Sequence, residues 1–226
     1  MPARYGFVVE AHTDAGPLIM RASPDPNGAF QAGVAMRLAE LGVAPRIHEV
    51  FQGEAGTWTV MERVTPGTTL AELPLSVESL PALGALLRPL VGQPAPLPGM
   101  PTLCGWLRRR LDEGDHLSDL APGRTPAPQA QRTEALSILA ELEGESADGL
   151  CHGDASTRNI LAGPSGLLVI DPRGVSGDIA YDVAVIALKA RTHVPLPNGE
   201  SVLADSVGVA RDRTAAWFMV ADAARV

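Results

Sequence analysis

Cysteine is scarce in this chain, with only Cys104 and Cys151 among 226 residues. The two lie far apart and in no spacing typical of metal ligands. Two buried thiols are therefore a better interpretation than a disulfide, although the sequence alone leaves the disulfide open. The near absence of cysteine favours a cytoplasmic protein over a disulfide-stapled secreted one.

Long hydrophobic runs are also missing. No window of 18 consecutive apolar residues occurs, which predicts that no segment spans a membrane. The first residues lead into no uninterrupted apolar stretch, so we expect no secretory leader. These two features again favour a cytoplasmic location.

Basic residues are fewer than acidic ones. The chain has 18 Lys and Arg against 26 Asp and Glu, which gives a formal net charge of −8. The chain has no basic stripe of the kind that binds nucleic acid. Its one basic cluster, 108–110, is predicted to be the solvent face of a helix. Aromatic residues make up only 4% of the chain, and we expect its tryptophans to be core anchors: Trp58, Trp106 and Trp217.

Apolar residues make up 46% of the chain, enough for a substantial core. The segment 1–70 is strand-rich, with a hairpin turn at 13–16 and one helix marked by Val34, Leu38 and Leu41. Helical periodicity dominates afterwards. The sequence therefore predicts an α+β protein with a small strand-rich unit, residues 1–70, and a larger helical unit, residues 71–226, that carries one short hairpin.

The segment 150–189 holds polar residues to which local structure assigns no obvious task. Asp154 follows His152 and Gly153, Asn159 comes five residues later, and Asp171 ends the apolar run 167–170. A carboxylate and an amide oxygen suit Mg²⁺, and an earlier carboxylate can accept a proton from an attacking hydroxyl. The alternative is a purely structural role, in which Asp154 and Asn159 form turns and Asp171 caps a strand.

The segments HGDASTRNIL, VIDPRG and GDIAYDVA resemble the motif series of aminoglycoside phosphotransferases, which have a bilobal protein-kinase-like fold. The Ile-Asp-Pro form resembles the streptomycin 6-kinase and hydroxyurea kinase branch. The resemblance implies that Asp154 is the catalytic base and that His152 braces its loop. It implies that Asn159 and Asp171 hold Mg²⁺ on the phosphates of ATP or GTP. It also gives a loop-fixing role to two further carboxylates: Asp178 and Asp182.

The resemblance extends to the strand-rich unit. Arg21 stands where the family normally has a phosphate-gripping Lys, and Gln31 stands where a helix Glu pairs with that Lys. Arg21 as an exposed strand-edge residue is the alternative. Backbone groups of Glu62 and Val64 are implied to bind adenine. Few residues precede the strand expected from Tyr5, and no Gly-rich phosphate loop is present, so the resemblance implies a reduced N-lobe.

The function implied is Mg²⁺-dependent transfer of the nucleotide γ-phosphoryl group to a hydroxyl of a small, streptomycin-type acceptor, as in antibiotic resistance. The acidic chain is compatible with a cationic acceptor. A catalytically impaired pseudokinase that acts as a binding or regulatory protein is the alternative. An exposed first sheet edge would also leave a homodimer open.

Overall fold

The computed structural model describes residues 2–3, 6–14, 16–112, 125–144, 149–191 and 199–226. Its first layer is an antiparallel sheet with the strand order β1-β2-β3-β5-β4. The strands are β1 Pro2–Ala3, β2 Gly6–Thr13, β3 Gly16–Ser23, β4 Ile47–Gly53 and β5 Gly56–Glu62. The predicted hairpin is confirmed, because Thr13 pairs with Gly16. The two-residue strand β1 precedes β2, which is the strand that the sequence predicted to be first.

The β4–β5 hairpin turns tightly against the end of β3. Gly56 has a φ of 101°, and a Cβ atom built on it would lie 2.1 Å from the carbonyl oxygen of Ser23. Only glycine tolerates both the left-handed backbone and this close approach. The turn thus holds β5 beside β3 and places β3 in the interior of the sheet.

Helix α1, Gly28–Glu40, connects β3 to β4 and packs on β5 and β4. Its sequence alternates in a helical period that buries Val34 and Leu38 completely. Gly42, with a φ of 74°, ends the helix by donating its N–H to the carbonyl of Ala39. The helix and its stop are as the sequence predicts.

The rest of the described chain is mainly helical. Its helices are α2 Leu80–Leu87, α3 Leu103–Asp112, α4 Gln129–Gly144, α5 Ile179–Ala190, α6 Gly199–Val207 and α7 Arg211–Ala223. The expected hairpin joins β7 Ile160–Gly163 to β8 Gly166–Val169, and a second short ladder pairs β6 Gly149–Leu150 with β9 Ser176–Gly177. The protein is therefore α+β, as predicted.

Helix α5 is the centre of the core. All but one of its twelve residues are buried, as is usual for a helix that is apolar on every face. One apolar cluster joins it to α1, α2 and α6, and a second joins it to α3, α4 and α7. Both cysteines are buried free thiols, as expected.

The sheet and the helices meet through backbone hydrogen bonds. Val169 donates to the carbonyl of Val43 at 2.8 Å, and Ala162 donates to that of Thr68 at 2.8 Å. The hairpin β7–β8 is thus tied to the chain that leaves α1 and to the chain that leaves β5. A unit boundary near position 70 stays a prediction.

Leu38→Ala tests the contribution of α1 to the core. Leu38 is fully buried, so we expect the free energy of unfolding to fall by about 2–5 kcal/mol in urea denaturation. Met36→Ala on the same helix is the matched control, because the Met36 side chain is exposed. Its substitution should cost less than about 1 kcal/mol, as is usual for a surface change. Equal losses in the two variants would contradict the packing described for α1.

Candidate active site

The loop 151–154 leaves β6 at the centre of the helical part. Its backbone is held by the side chain of Asp182, which lies in the first turn of α5. The Oδ2 atom of Asp182 accepts from the N–H of His152 at 2.7 Å, and its Oδ1 atom accepts from the N–H of Gly153 at 2.9 Å. One buried carboxylate therefore fixes two successive peptide groups of the loop.

Asp182 is fully buried, and burial raises its pKa to about 7. The two amide hydrogen bonds oppose this rise, while the charges of Asp154 and Asp178 add to it. Desolvation outweighs the amides because the carboxylate is completely removed from water. Asp182 thus has a structural rather than a chemical position, which agrees with the sequence interpretation.

His152 is fully buried beneath the same loop. Its Nε2 atom lies 2.9 Å from the carbonyl oxygen of Ile170, and its Nδ1 atom accepts from the N–H of Asp154 at 3.2 Å. Burial lowers the pKa of this imidazole. A neutral ring with Nε2–H as donor satisfies both contacts. This geometry suits the bracing role that the sequence predicts for His152.

Asp154 projects into a cleft, and its side chain is 35% exposed. Its carbonyl oxygen accepts from Nδ2 of Asn159 at 2.9 Å, and its Oδ2 atom accepts from Nη2 of Arg173 at 2.9 Å. Both contacts of this carboxylate with the described residues, the hydrogen bond and the ion pair, are made through Oδ2. The structure thus brings Asp154 and Asn159 together, as the motif spacing predicts.

Asp171 follows β8 with a φ of 59°. This left-handed conformation is uncommon for a residue with a side chain. The preceding residue, Ile170, donates its N–H to the carbonyl of Asn159 at 2.9 Å. Asp171 therefore emerges beside Asn159 at the end of the β7–β8 hairpin. Its side chain is 46% exposed toward the cleft and forms an ion pair with Arg21.

Arg21 lies on β3, an interior strand of the sheet, with a side chain only 18% exposed. Its Nη1 atom donates to Oε1 of Gln31 at 3.2 Å. The alternative of an exposed strand-edge arginine is therefore wrong. Gln31 is an uncharged acceptor for the guanidinium of Arg21, and Asp171 supplies the opposite charge.

Asp178 caps the N-terminus of α5 by accepting from the N–H of Ala180 at 2.9 Å. Its Oδ2 atom also accepts from Nε1 of Trp217 at 2.8 Å and forms an ion pair with Arg213. A carboxylate at a helix N-terminus is favoured by the helix dipole. Asp178 thus fixes the start of the helix that carries Asp182.

A pocket of about 380 Å³ lies between the sheet and the β7–β8 hairpin. Apolar side chains dominate its wall, and Met61 is the residue of β5 nearest the end of that strand to line it. Glu62 and Val64 follow Met61 and are not among the lining residues. The N–H of Glu62 donates to the carbonyl of Arg46 at 2.9 Å. Adenine binding by Glu62 and Val64 stays a prediction.

A second, wider cleft of about 970 Å³ shares Arg21, Gln31 and Asp171 with the first pocket. Asp154 lies in it, and the facing wall includes three residues of α3: Trp106, Arg109 and Arg110. Trp106 thus lines the cleft, although its helical spacing predicted a core anchor. Similarly, Arg109 and Arg110 line the cleft, although the cluster was predicted to be simply a solvent face.

Trp217 meets its prediction, since it is fully buried and contacts Tyr181 edge-on with ring centroids 5.6 Å apart. Trp58 is only partly buried and stacks on the exposed Phe51 at the far side of the sheet. Helical spacing could not separate Trp106 from a core residue, because a cleft wall and a core present the same apolar period.

Comparison with known proteins matches residues 3–217 to the phosphotransferase enzyme family. The chain belongs to this family. A streptomycin 6-kinase of Streptomyces glaucescens is 30% identical over 127 residues, which cover 55% of this chain and 40% of that protein. The matched region therefore spans about two fifths of the length of this curated relative.

Solved structures share the kinase-like fold with this family member. A choline/ethanolamine kinase family protein from Mesorhizobium loti superimposes with a TM-score of 0.71 at 20% identity, covering 100% of this chain and 76% of the other. The aminoglycoside phosphotransferase APH(3'')-Id from Streptomyces rimosus, in complex with ADP and streptomycin, gives a TM-score of 0.62 at 19% identity, covering 98% and 92%. Within the described ranges, the helices of this family member are too short or too polar to span a lipid bilayer.

Asp182→Asn tests the buried anchor through the pH dependence of stability. Because the pKa of Asp182 is raised, the folded chain holds a proton that the unfolded chain releases near pH 4. The wild-type free energy of unfolding, measured relative to the variant, should therefore fall as the pH rises from about 4 to about 7, with a slope of at most about 1.4 kcal/mol per pH unit.

Urea denaturation of both proteins at intervals between pH 4 and 8 provides the measurement. The other titrating groups are common to the two proteins, so most of their contributions cancel in the difference. If the wild-type advantage grew with pH instead, the two amide donors would outweigh desolvation, and Asp182 would be a stabilised carboxylate throughout.

Proposed function

We propose that this protein transfers the γ-phosphoryl group of ATP or GTP to a hydroxyl of a small molecule, with a streptomycin-type compound as the acceptor. The observation that carries this proposal is that Asp154, Asp171 and Arg21 line one cleft, with Asn159 held behind them by its hydrogen bond to the carbonyl of Asp154. Family membership and the streptomycin 6-kinase relative support the acceptor class.

Asp154 is the proposed base. Its Oδ1 atom would accept the proton of the acceptor hydroxyl while that oxygen forms a bond to the γ-phosphorus. The bond from phosphorus to the β–γ bridging oxygen breaks, and the nucleoside diphosphate leaves. At 35% exposure the carboxylate is open to an acceptor yet held by its loop.

Asn159 and Asp171 fit a magnesium ion. Nδ2 of Asn159 is committed to the carbonyl of Asp154, which leaves its amide oxygen for ligation. The Asp171 carboxylate is the second oxygen donor, and Mg²⁺ would compete for it with the guanidinium of Arg21. Two such oxygens are the donors that Mg²⁺ prefers when phosphates complete its shell. The ion would supply charge neutralisation of the phosphate oxygens.

Arg21 is the proposed phosphate-binding cation. Its guanidinium forks toward both Gln31 and Asp171. Because the group is permanently charged and carries five N–H donors, its remaining donors can meet phosphate oxygens. The largely apolar pocket beside it is the proposed site of the adenine or guanine base. The cation beside Asp171 supports an enzyme rather than the pseudokinase alternative.

Asp154→Asn should abolish most phosphoryl transfer while leaving nucleotide binding intact. The amide cannot accept the hydroxyl proton, so we expect kcat with streptomycin to fall by about 10²–10⁴. The Kd for ATP should stay within about twofold, because a base acts on the acceptor rather than on the nucleotide.

A coupled assay of nucleoside diphosphate release measures this rate. Asp205→Asn is a suitable control, since Asp205 pairs with Arg211 on the surface, away from the cleft. An Asp154→Asn protein with wild-type kcat would rule out Asp154 as the base.

Asp171→Asn addresses the metal. Calorimetric titration with ATP and with GTP should show at least about tenfold weaker binding in the variant when Mg²⁺ is present, because one charged ligand is lost. Without Mg²⁺ the two proteins should differ much less. A wild-type protein that binds neither nucleotide at millimolar concentration would contradict the proposed function.

A further inference from the structure

Arg173 contacts three consecutive residues of the loop that carries Asp154. Its backbone N–H donates to the carbonyl of His152 at 2.9 Å, and its Nε donates to that of Gly153 at 3.1 Å. Its Nη2 donates to Oδ2 of Asp154 at 2.9 Å. The guanidinium is planar and rigid, so Nε and Nη2 reach Gly153 and Asp154 only in one relative orientation.

Trp106 supports this guanidinium from the opposite side. The Cζ atom of Arg173 lies 4.0 Å from the centroid of the Trp106 ring, within the range of a cation–π contact. Arg110 lies over the same ring at 5.5 Å and donates to the carbonyls of Ala224 and Arg225 at 2.7 and 2.9 Å. The ring is thereby tied to the end of α7.

Gly153 leaves the space that Arg173 needs. It has a φ of 76°, and a Cβ atom built on it would lie 3.0 Å from Cβ of Arg173 and 2.8 Å from Cγ2 of Val175. A larger residue would push Arg173 away from the loop. The Gly in the His-Gly-Asp segment is therefore explained by the approach of Arg173 as well as by its backbone conformation.

We propose that Arg173, supported by Trp106, is the positioning residue for Asp154. It occupies Oδ2 and thereby turns Oδ1 toward the acceptor hydroxyl. This inference rests on the proposed function, because positioning matters only if Asp154 accepts a proton. A misplacement of about 1 Å can cost about 10²-fold in rate, so the orientation has a measurable consequence.

The ion pair between Arg173 and Asp154 does not by itself show whether Arg173 positions the carboxylate or only stabilises the fold. Such pairs contribute about 0–1 kcal/mol to stability, so loss of the Arg173–Asp154 pair should barely change the melting temperature. Positioning predicts a different pattern, namely a loss in kcat with nucleotide affinity preserved. The two roles therefore separate when stability and kinetics are measured on the same variants.

The test compares Arg173→Gln, Arg173→Lys and Trp106→Leu in steady-state kinetics with ATP and streptomycin. For Arg173→Gln we expect kcat to fall about 10²-fold with the KM for ATP within about threefold. Arg173→Lys should recover part of the rate, since it keeps the charge but not the fork. Trp106→Leu should lower kcat about tenfold by loosening the guanidinium.

Arg191→Gln is the matched control. Arg191 also pairs with a carboxylate, Asp222, at 2.8 Å and also lies over an aromatic ring, that of Phe218, at 5.4 Å. Its contacts lie outside the cleft, between the end of α5 and α7, so the kcat of this variant should equal that of the wild type. An Arg173→Gln protein that matched this control in kcat would overturn the inference.

A readout without turnover keeps the two proposals apart. In ¹H–¹⁵N spectra the Nε–H of Arg173 should exchange slowly with solvent in the wild type and faster in Trp106→Leu. Fast exchange in the wild type would overturn the positioning itself. A wild type with a protected Nε–H but no transfer to streptomycin and no ATP hydrolysis would instead contradict the proposed function, and with it the catalytic consequence assigned to Arg173.

Discussion

The active-site loop depends on one carboxylate buried in the centre of the molecule. A carboxylate in an apolar core is unfavourable unless its oxygens are satisfied, and those of Asp182 are satisfied by two loop amides. The loop amides in turn find their acceptors in this one side chain. Helix α5 and the loop therefore fold as one piece, and Asp178 fixes where that helix begins. The position of Asp154 in the cleft therefore depends on Asp182 and on the start of α5.

On the sheet side of the cleft, the important contact is the ion pair between Arg21 and Asp171. The resemblance to the family predicts a Lys at the position of Arg21 and a helix Glu at the position of Gln31. Here Gln31 is neutral, so Asp171 balances Arg21 directly. The two charges compensate each other across the cleft, and in the proposed function a nucleotide phosphate would compete with Asp171 for the guanidinium. The same pair also joins the sheet to the end of the β7–β8 hairpin.

The sequence predicted what is local. The hairpins, α1 with its stop at Gly42, and the grouping of Asp154, Asn159 and Asp171 all follow from short-range patterns. The strand expected from Tyr5 begins one residue later, at Gly6. Trp106 and Arg173 were missed because their contact joins distant parts of the chain. Helical periodicity identifies the face of α3 that is apolar, but it does not say that this helix crosses the loop at Arg173.

The loop is held through both its backbone donors and its backbone acceptors. In the proposed reaction, this separates the positioning of the base from the selection of the acceptor. Its N–H groups at 152 and 153 point to Asp182, while its carbonyl oxygens at 152 and 153 point to Arg173. Groups fixed in this way need no reorganisation when charge develops, which is the condition for electrostatic catalysis. The far wall of the cleft comes largely from α3, and of its residues Trp106 both supports Arg173 and lines the cleft. In the proposed function, Arg109 can therefore change with the acceptor while Asp154 stays in place, whereas a change at Trp106 should alter selection and rate together.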